Sequence, residues 1–447
     1  MGNNIAFAMI VFWPLLAIYL YSTRSIQVAT VWVILGGFLI LPVKTSIDLP
    51  MIPALGKDSI PVLSAVIGIF LVRNKRLYFT KGLGKAKYLV YLLILVPFIS
   101  AWLNSDSIQV GRLFLKGLSL YDGLALMMNS LVPITPFFIG RQFFKTYDHQ
   151  LLMFKFLVVA GLIYSIPMLF EARISPQLHI WVYDYFPHDF GQQIRFGGFR
   201  PVVFIGHGLE VAFFTSIVLI SSVALWLNAV RGSVLPAIIR TGYIFIILLL
   251  CKSVASIFYG TFSFIALRFL STSRVALIAI VISTLAFLYP ILSISNLFPH
   301  QEIIELAESF DKERAQSLAF RFDNESILLR HAQDKPYFGW GGWGRNRVYD
   351  VSGRDITVTD GVWIIQFGQN GWAGFISLFG LMFLTVIGAY ITIKSIREQQ
   401  EKNLMAAHML IVAIIMIDQI PNSSLAPWLW LIIGSLHGRC SMVNSKK

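Results

Sequence analysis

Charged side chains are scarce in this 447-residue chain: Asp, Glu, Lys and Arg make up 13% of it, against about 25% in an ordinary soluble domain. Carboxylates are the scarcer sign, 23 against 36 Lys and Arg, while 56% of the residues are hydrophobic. A fold that faces water on all sides cannot hide that much apolar surface, so a cytosolic enzyme or nucleic-acid module is excluded. Cysteine is nearly absent. Cys251 and Cys440 lie far apart and supply neither a disulfide framework nor a metal site. Ten-residue stretches of alternating polarity are missing, which excludes β-barrel spans. No internal repeat is visible, and that speaks against many secondary-transporter folds. The eight histidines form no group of converging ligands, so no metal is expected.

What is present is a succession of apolar blocks near the length an α-helix needs to cross hydrocarbon. They lie at 5–22, 27–43, 59–73, 88–103, 121–140, 151–170, 202–229, 241–251, 254–270, 275–298, 375–393, 404–420 and 427–437. The predicted fold is all-α, a polytopic integral membrane protein with about 12–13 transmembrane helices. The two blocks around Lys252 are short and read as a broken pair. The first block lacks a basic leader and reads as an uncleaved helix. Arg73, Lys75, Arg76, Lys81, Lys85 and Lys87 form a run of cations without a carboxylate, which marks that loop as cytoplasmic. Alternating from it places Arg141/Lys145, Arg231/Arg240, Arg268/Arg274, Lys394/Arg397/Lys402 and the tail Arg439/Lys446/Lys447 on the same side. The net charge of +13 is then an orientation signal, with no bearing on nucleic acid. Five segments follow: N-terminal helices 1–170, a first outer loop 171–201, central helices 202–298, a large outer loop 299–374, and C-terminal helices with a basic tail, 375–447.

The outer loops carry the polar chemistry. Loop 171–201 mixes Glu171, Arg173, Asp184, Asp189, Arg195 and Arg200 with aromatics. Loop 299–374 is dense in carboxylates, and the stretch from Gln301 to Asp334 reads as one or two amphipathic helices stopped by Pro336. These helices either lie on the membrane surface or form a lid. Gly339 to Gly344 satisfies G-x-G-x-x-G, but without a preceding strand it is no dinucleotide fingerprint. It is either a tight turn or a turn that brings backbone, Trp340 and Trp343 to a sugar ligand. Glu210, Asp418 and Lys252 are ionisable residues within or beside apolar blocks, costly unless paired or functional. Glu210 follows Arg200 by about three helical turns if that stretch is helical.

Three motifs, taken in order, resemble the bacterial O-antigen ligase and O-antigen polymerase family. Asp360-Gly361, then Gly371-Trp372-Ala373-Gly374, has the spacing of the family's last periplasmic motif, in which a histidine precedes G-x-x-G. Arg321, the helix to Asp334, and Pro336-Tyr337-Phe338-Gly339-Trp340-Gly341 resemble its "Arg, helix, Asp, x, Pro, x, x, Gly, x, Gly" stretch. Arg195 through Arg200 to His207 resembles its arginine-bearing re-entry into the membrane. The family histidine is replaced here by Asp360, and a family Ser-Arg-Gly reads Lys252-Ser253-Val254, with Lys252 a substitute cation.

The resemblance implies a GT-C-like, metal-independent glycosyltransferase of the bacterial inner membrane that needs no cofactor. It would act outside the cytoplasm on an undecaprenyl-diphosphate-linked glycan, with another glycan or lipid A-core as acceptor, among membrane lipid and glycan-assembly partners. Arg200 and Arg195 are the first candidates for the diphosphate, Arg321, Arg330, Arg345 and Arg347 the second. Asp360 is the candidate base, its other reading being a cap for the next helix. Exopolysaccharide or O-antigen polymerase is favoured over ligase. A transporter or lipid flippase using Glu210, Asp418 and Lys252, and a non-catalytic scaffold, are the competing classes.

Overall fold

The computed structural model describes residues 2–48, 54–228, 236–310 and 312–444; Arg231, Lys446 and Lys447 lie outside them. The described residues are mostly helical. The helices are α1 (Asn4–Thr23), α2 (Ile26–Ile40), α3 (Ile60–Ile67, widening into a π turn over Gly68–Val72), α4 (Ala86–Trp102), α5 (Leu120–Phe143), α6 (Tyr147–Arg173), α7 (Leu178–Tyr183) and α8 (Gly208–Leu227). They continue with α9 (Ala237–Leu250), α10 (Val254–Phe269), α11 (Thr272–Ile294), α12 (His300–Phe310), α13 (Lys312–Gln333), α14 (Val362–Ile393), α15 (Gln399–Asp418) and α16 (Pro427–Asn444). Each apolar block of the sequence overlaps one of them. Among the described residues, seven helices are long and apolar enough to cross a membrane, and five more are apolar but of 10–17 residues. Starts are set locally: Asn3, Ser25 and Thr146 accept from amides of the first turn, and Ser119 forms a capping box with Asp122.

Large apolar side chains of α1 and α11 are exposed, as a lipid-facing surface requires, while α8, α15 and α16 are buried on nearly every side. The tightest helix pair is α5 with α16. A Cβ on Gly140 would sit 2.3 Å from the Leu431 carbonyl oxygen, and one on Gly434 would sit 2.0 Å from that of Phe137. Only glycine lets the two backbones come so close.

Polar contacts sort to two ends of this bundle. At the basic end Arg141 donates to the carbonyls of Tyr78 and Lys81, Gln142 bonds the Arg76 carbonyl, and Arg439 pairs with Glu401. At the other end lie the segments 104–118, 186–207, 334–361 and 419–426, with 104–118 bonded to 335–345. Two short hairpins lie here, β1–β2 (Ile108–Val110 with Leu113–Leu115) and β3–β4 (Ile194–Arg195 with Gly198–Phe199).

Two boundaries differ from the sequence reading. Residues 200–207 are irregular, with α8 beginning only at Gly208, because Val203 and Gly206 take left-handed φ of 51° and 117°. Helical-turn spacing therefore does not relate Arg200 to Glu210. The apolar run expected from 375 begins at Val362, so the final part of the predicted outer loop is helix. That helix is broken at Gly371 (φ 62°, ψ −160°).

The glycine-rich turn fills the break. Trp340 and Gly341 amides donate to the carbonyls of Gly368 and Gln369 (both 2.8 Å), and the Trp372 and Ala373 amides donate back to Pro336 and Tyr337 (2.7 and 3.1 Å). Of the two readings of the turn, the structure shows backbone approach, but to α14. A Cβ on Gly339 would lie 2.4 Å from the Gln369 carbonyl carbon, and one on Gly371 would lie 2.3 Å from that of Tyr337. Gly371→Val should therefore cost about 3 kcal/mol or more, through left-handed strain and collision. Gly388→Ala, where nothing crowds the site, should be near neutral. Thermal unfolding of the purified variants in detergent checks both.

Candidate functional site

The site at the polar end grows from the strap formed by residues 200–207. Val202 and Val203 are fully buried, so their amides need acceptors. The buried Glu171 carboxylate supplies them: Oε2 accepts from Val202 and Val203 (2.7 Å each) and Oε1 from Leu178 (2.9 Å). Tyr164 Oη accepts from the Phe204 amide (3.0 Å). Lys57 Nζ donates to the carbonyls of Phe204 and Ile205 (2.5 and 3.3 Å). The strap thus stays irregular because protein groups replace water around it. His207 ends it and caps α8, with Nδ1 accepting from the Leu209 amide (3.0 Å).

Charged groups gather where the strap meets the starts of α8 and α14 and the end of α15. Asp360 does not cap α14; Gly361 is the capping residue, without a side-chain bond. Instead Asp360 Oδ2 lies 3.5 Å from Nε of Arg321 on α13, both about a third exposed. Three contacts hold this pair in place. Asn324 accepts from the Val358 amide (2.8 Å), Glu325 accepts from Tyr289 and Ser293 of α11 (2.9 and 3.0 Å), and the Val362 amide donates to Gln419 and Asn422 carbonyls. Asp418, at the end of α15, accepts from Asn422 (3.0 Å) and lies in the fields of Arg321 and Glu210. Glu210 in turn faces Lys57 and Asp58.

A cavity of about 280 Å³ lies at this end, lined by Lys57, Asp58, His188, His207, Glu210 and Ser424 among others, whereas Arg321, Asp360 and Asp418 do not line it. This is near the small end of the roughly 300–1,000 Å³ typical of ligand pockets. Burial pushes Lys57 down to about 8, opposed by Glu210 and Asp58, and pushes Asp58 up, opposed by Lys57. Burial, then His188, Arg200 and Arg321, push His207 down to about 3. His207 is therefore a neutral imidazole at physiological pH, its ring edge-on to His188 at 4.5 Å.

The other sequence candidates take several places. Arg200 donates through Nε and Nη2 to the Lys252 carbonyl (3.2 and 3.0 Å), and Lys252 Nζ returns to the Arg195 carbonyl (3.0 Å). Lys252 sits at φ 51° in the break between α9 and α10, so this exchange ties the strap to the broken pair. The Arg195 side chain is exposed and bonds only the Ile194 carbonyl among the described residues. Arg330 is exposed.

Arg345 is 2% exposed and donates to the Lys116 carbonyl, and Arg347 pairs with Asp355. Both bond groups of the loops at this end. Trp340 packs against the end of α13. Its ring stacks on His331 at 4.4 Å and lies under the Lys335 ammonium at 4.5 Å, and its Nε1 donates to the His331 carbonyl. Trp343 is 55% exposed, and its side chain also bonds Asp122.

Sequence reading missed Lys57, Asp58 and His188. The adjacent opposite charges Lys57 and Asp58 at the edge of an apolar block were the available signal. No known family model matches this chain, and no curated protein is significantly similar to it. Fold and site define its class: a mostly helical protein with helices fit to cross a membrane and a charged cavity at one end of the bundle.

Glu171→Ala should sharply lower the amount of folded protein. It strands three amides, two of them fully buried, each costing about 1–3 kcal/mol. Fluorescence-detected size exclusion of the expressed variant reads this. Lys57 also predicts a pH dependence. Its folded value of about 8 lies below the ordinary 10.5, so the folded state binds fewer protons between them. The cost of burying its charge is fully present below pH 8, and stability from this group rises with pH across the window. Melting curves from pH 7 to 10 should show this rise in wild type and its loss in Lys57→Gln.

Proposed function

We propose that the protein is a membrane glycosyltransferase acting on an undecaprenyl-diphosphate-linked glycan outside the cytoplasm, as an exopolysaccharide or O-antigen polymerase or a ligase. The observation that supports this reading most is the Arg321–Asp360 pair. Two positions of separate family-like motifs meet at 3.5 Å, within the field of the strap that carries Arg200 and His207. A polytopic GT-C-like bundle of 12–13 spans, its basic loops facing the cytoplasm of a bacterial inner membrane, puts this end on the outer side.

In the reaction an acceptor sugar hydroxyl attacks the anomeric carbon of the donor. The new C–O bond forms as the bond from carbon to diphosphate oxygen breaks. The hydroxyl proton passes to the Asp360 carboxylate, which Arg321 orients. Arg200 and Arg321 stabilise the charge developing on the diphosphate, guanidiniums being permanently charged. Exposed Arg195, Arg330 and Trp343 border the approach of the glycan. A lipid-linked repeat as acceptor gives a polymerase, and lipid A-core gives a ligase.

Asp360→Ala, Arg321→Ala and Arg200→Ala, made separately and checked for protein level, should each abolish or cut long-chain glycan by about 100-fold or more. The lipid-linked and finished glycans of the cells are read together. Single repeats on the acceptor indicate a lost polymerase, and long chains left on the carrier indicate a lost ligase. Full assembly with all three variants at normal level overturns the reading.

A further inference from the structure

The basic end of the bundle holds a second cavity, of about 380 Å³, where the ends of α8 and α10 meet the starts of α11 and α15. Its polar side is an organised network. Thr272 Oγ1 donates to Asn403 Oδ1 (3.1 Å), and Gln399 Nε2 donates to both Thr272 Oγ1 and Asn403 Oδ1 (2.8 Å each). Two cations line it, Arg268 from α10 and Lys402 from α15, and no carboxylate does among the described residues. Arg268 is fixed over the Trp226 ring at 5.6 Å. Glu401, beside Lys402 in sequence, is taken by Arg439.

The cavity also receives the first turns of two packed helices, α11 and α15, whose capping residues Ser271 and Glu398 make no side-chain bond to them. Cations from two helices and the positive ends of two helix dipoles all favour an anion with several acceptor oxygens. The neighbourhood is also lipidic: Ile265 and Phe269, flanking Arg268, are 50% and 71% exposed.

We propose that this cavity binds a phosphate group, supplied by the headgroup of an anionic phospholipid whose chains lie along the exposed apolar face of α10. This site is remote from the charged cavity at the other end and does not rest on the glycosyl-transfer reading. The phosphate completes the uncapped starts of α11 and α15 and neutralises Arg268 and Lys402, fastening two helices that otherwise present like charge to each other.

Binding to the purified full chain in neutral detergent tests it by native mass spectrometry and thermal shift, with phosphatidylglycerol, phosphatidylcholine and inorganic phosphate as separate probes. Phosphatidylglycerol should bind and raise the melting temperature. Arg268→Gln/Lys402→Gln should weaken it about thirtyfold, and Lys402→Gln alone, a change at the partly exposed rim that keeps the measurement open if the double variant misfolds, about fivefold. Lys85→Gln/Lys87→Gln, at the same end but outside the cavity, should leave binding unchanged. Equal binding of phosphatidylcholine, or an equal loss in the Lys85/Lys87 variant, overturns the proposal. Inorganic phosphate binding as tightly as the lipid overturns the headgroup assignment.

Discussion

A backbone amide or carbonyl removed from water must find a partner, and in a bundle that crosses hydrocarbon the partner has to be protein. Both irregular segments that shape the polar end meet this constraint. Glu171, Tyr164 and Lys57 satisfy the strap before α8. The glycine-rich turn satisfies the break in α14, one backbone against another. Remove either set of partners and the segment has to become helix or leave the bundle. In both cases the groups around the charged cavity lose their positions.

The charges at that end are balanced, and the balance is uneven in cost. Arg321 and Asp360 are partly solvated, so their attraction contributes little to stability. Their value lies in orientation. Lys57 is half-buried and Asp58 exposed at the cavity rim, yet the proton affinities of both are displaced, Lys57 down and Asp58 up, because the surrounding protein makes charge costly there. Such an expense is common where a site must stay polar for chemistry. His207, held neutral beside Arg200 and Arg321, adds a hydrogen-bonding group without adding charge.

Helix positions were legible in the sequence because hydrocarbon imposes a length and a composition on each span. The break at Lys252 was legible too, as two short blocks flanking a cation. The strap was not, because Pro201 to Ile205 is apolar and reads as the start of a span; its left-handed turns at Val203 and Gly206 leave no compositional mark. Asp360 read equally well as a cap or a reactive carboxylate, and only the arrival of Arg321 from α13 separates the two. The partners of Trp340 and Arg345 were hidden for a related reason. Residue type announces what a side chain can do, whereas an internal partner such as His331 or the Lys116 carbonyl decides whether it is free to do it. Lys57 went unnoticed because a lone charge pair in a short loop carries no periodicity.

The close pairing of α5 with α16 bears on how the chain is made. About 280 residues separate Phe143 from Pro427, which at roughly 5–20 residues per second is some 15–60 seconds of synthesis. Throughout that interval α5 is already in the bilayer with the groove around Gly140 unfilled. The bundle therefore cannot close progressively from its first helix. It stays open to lipid, insertion machinery or chaperones until α16 emerges, and that helix locks the early helices in place.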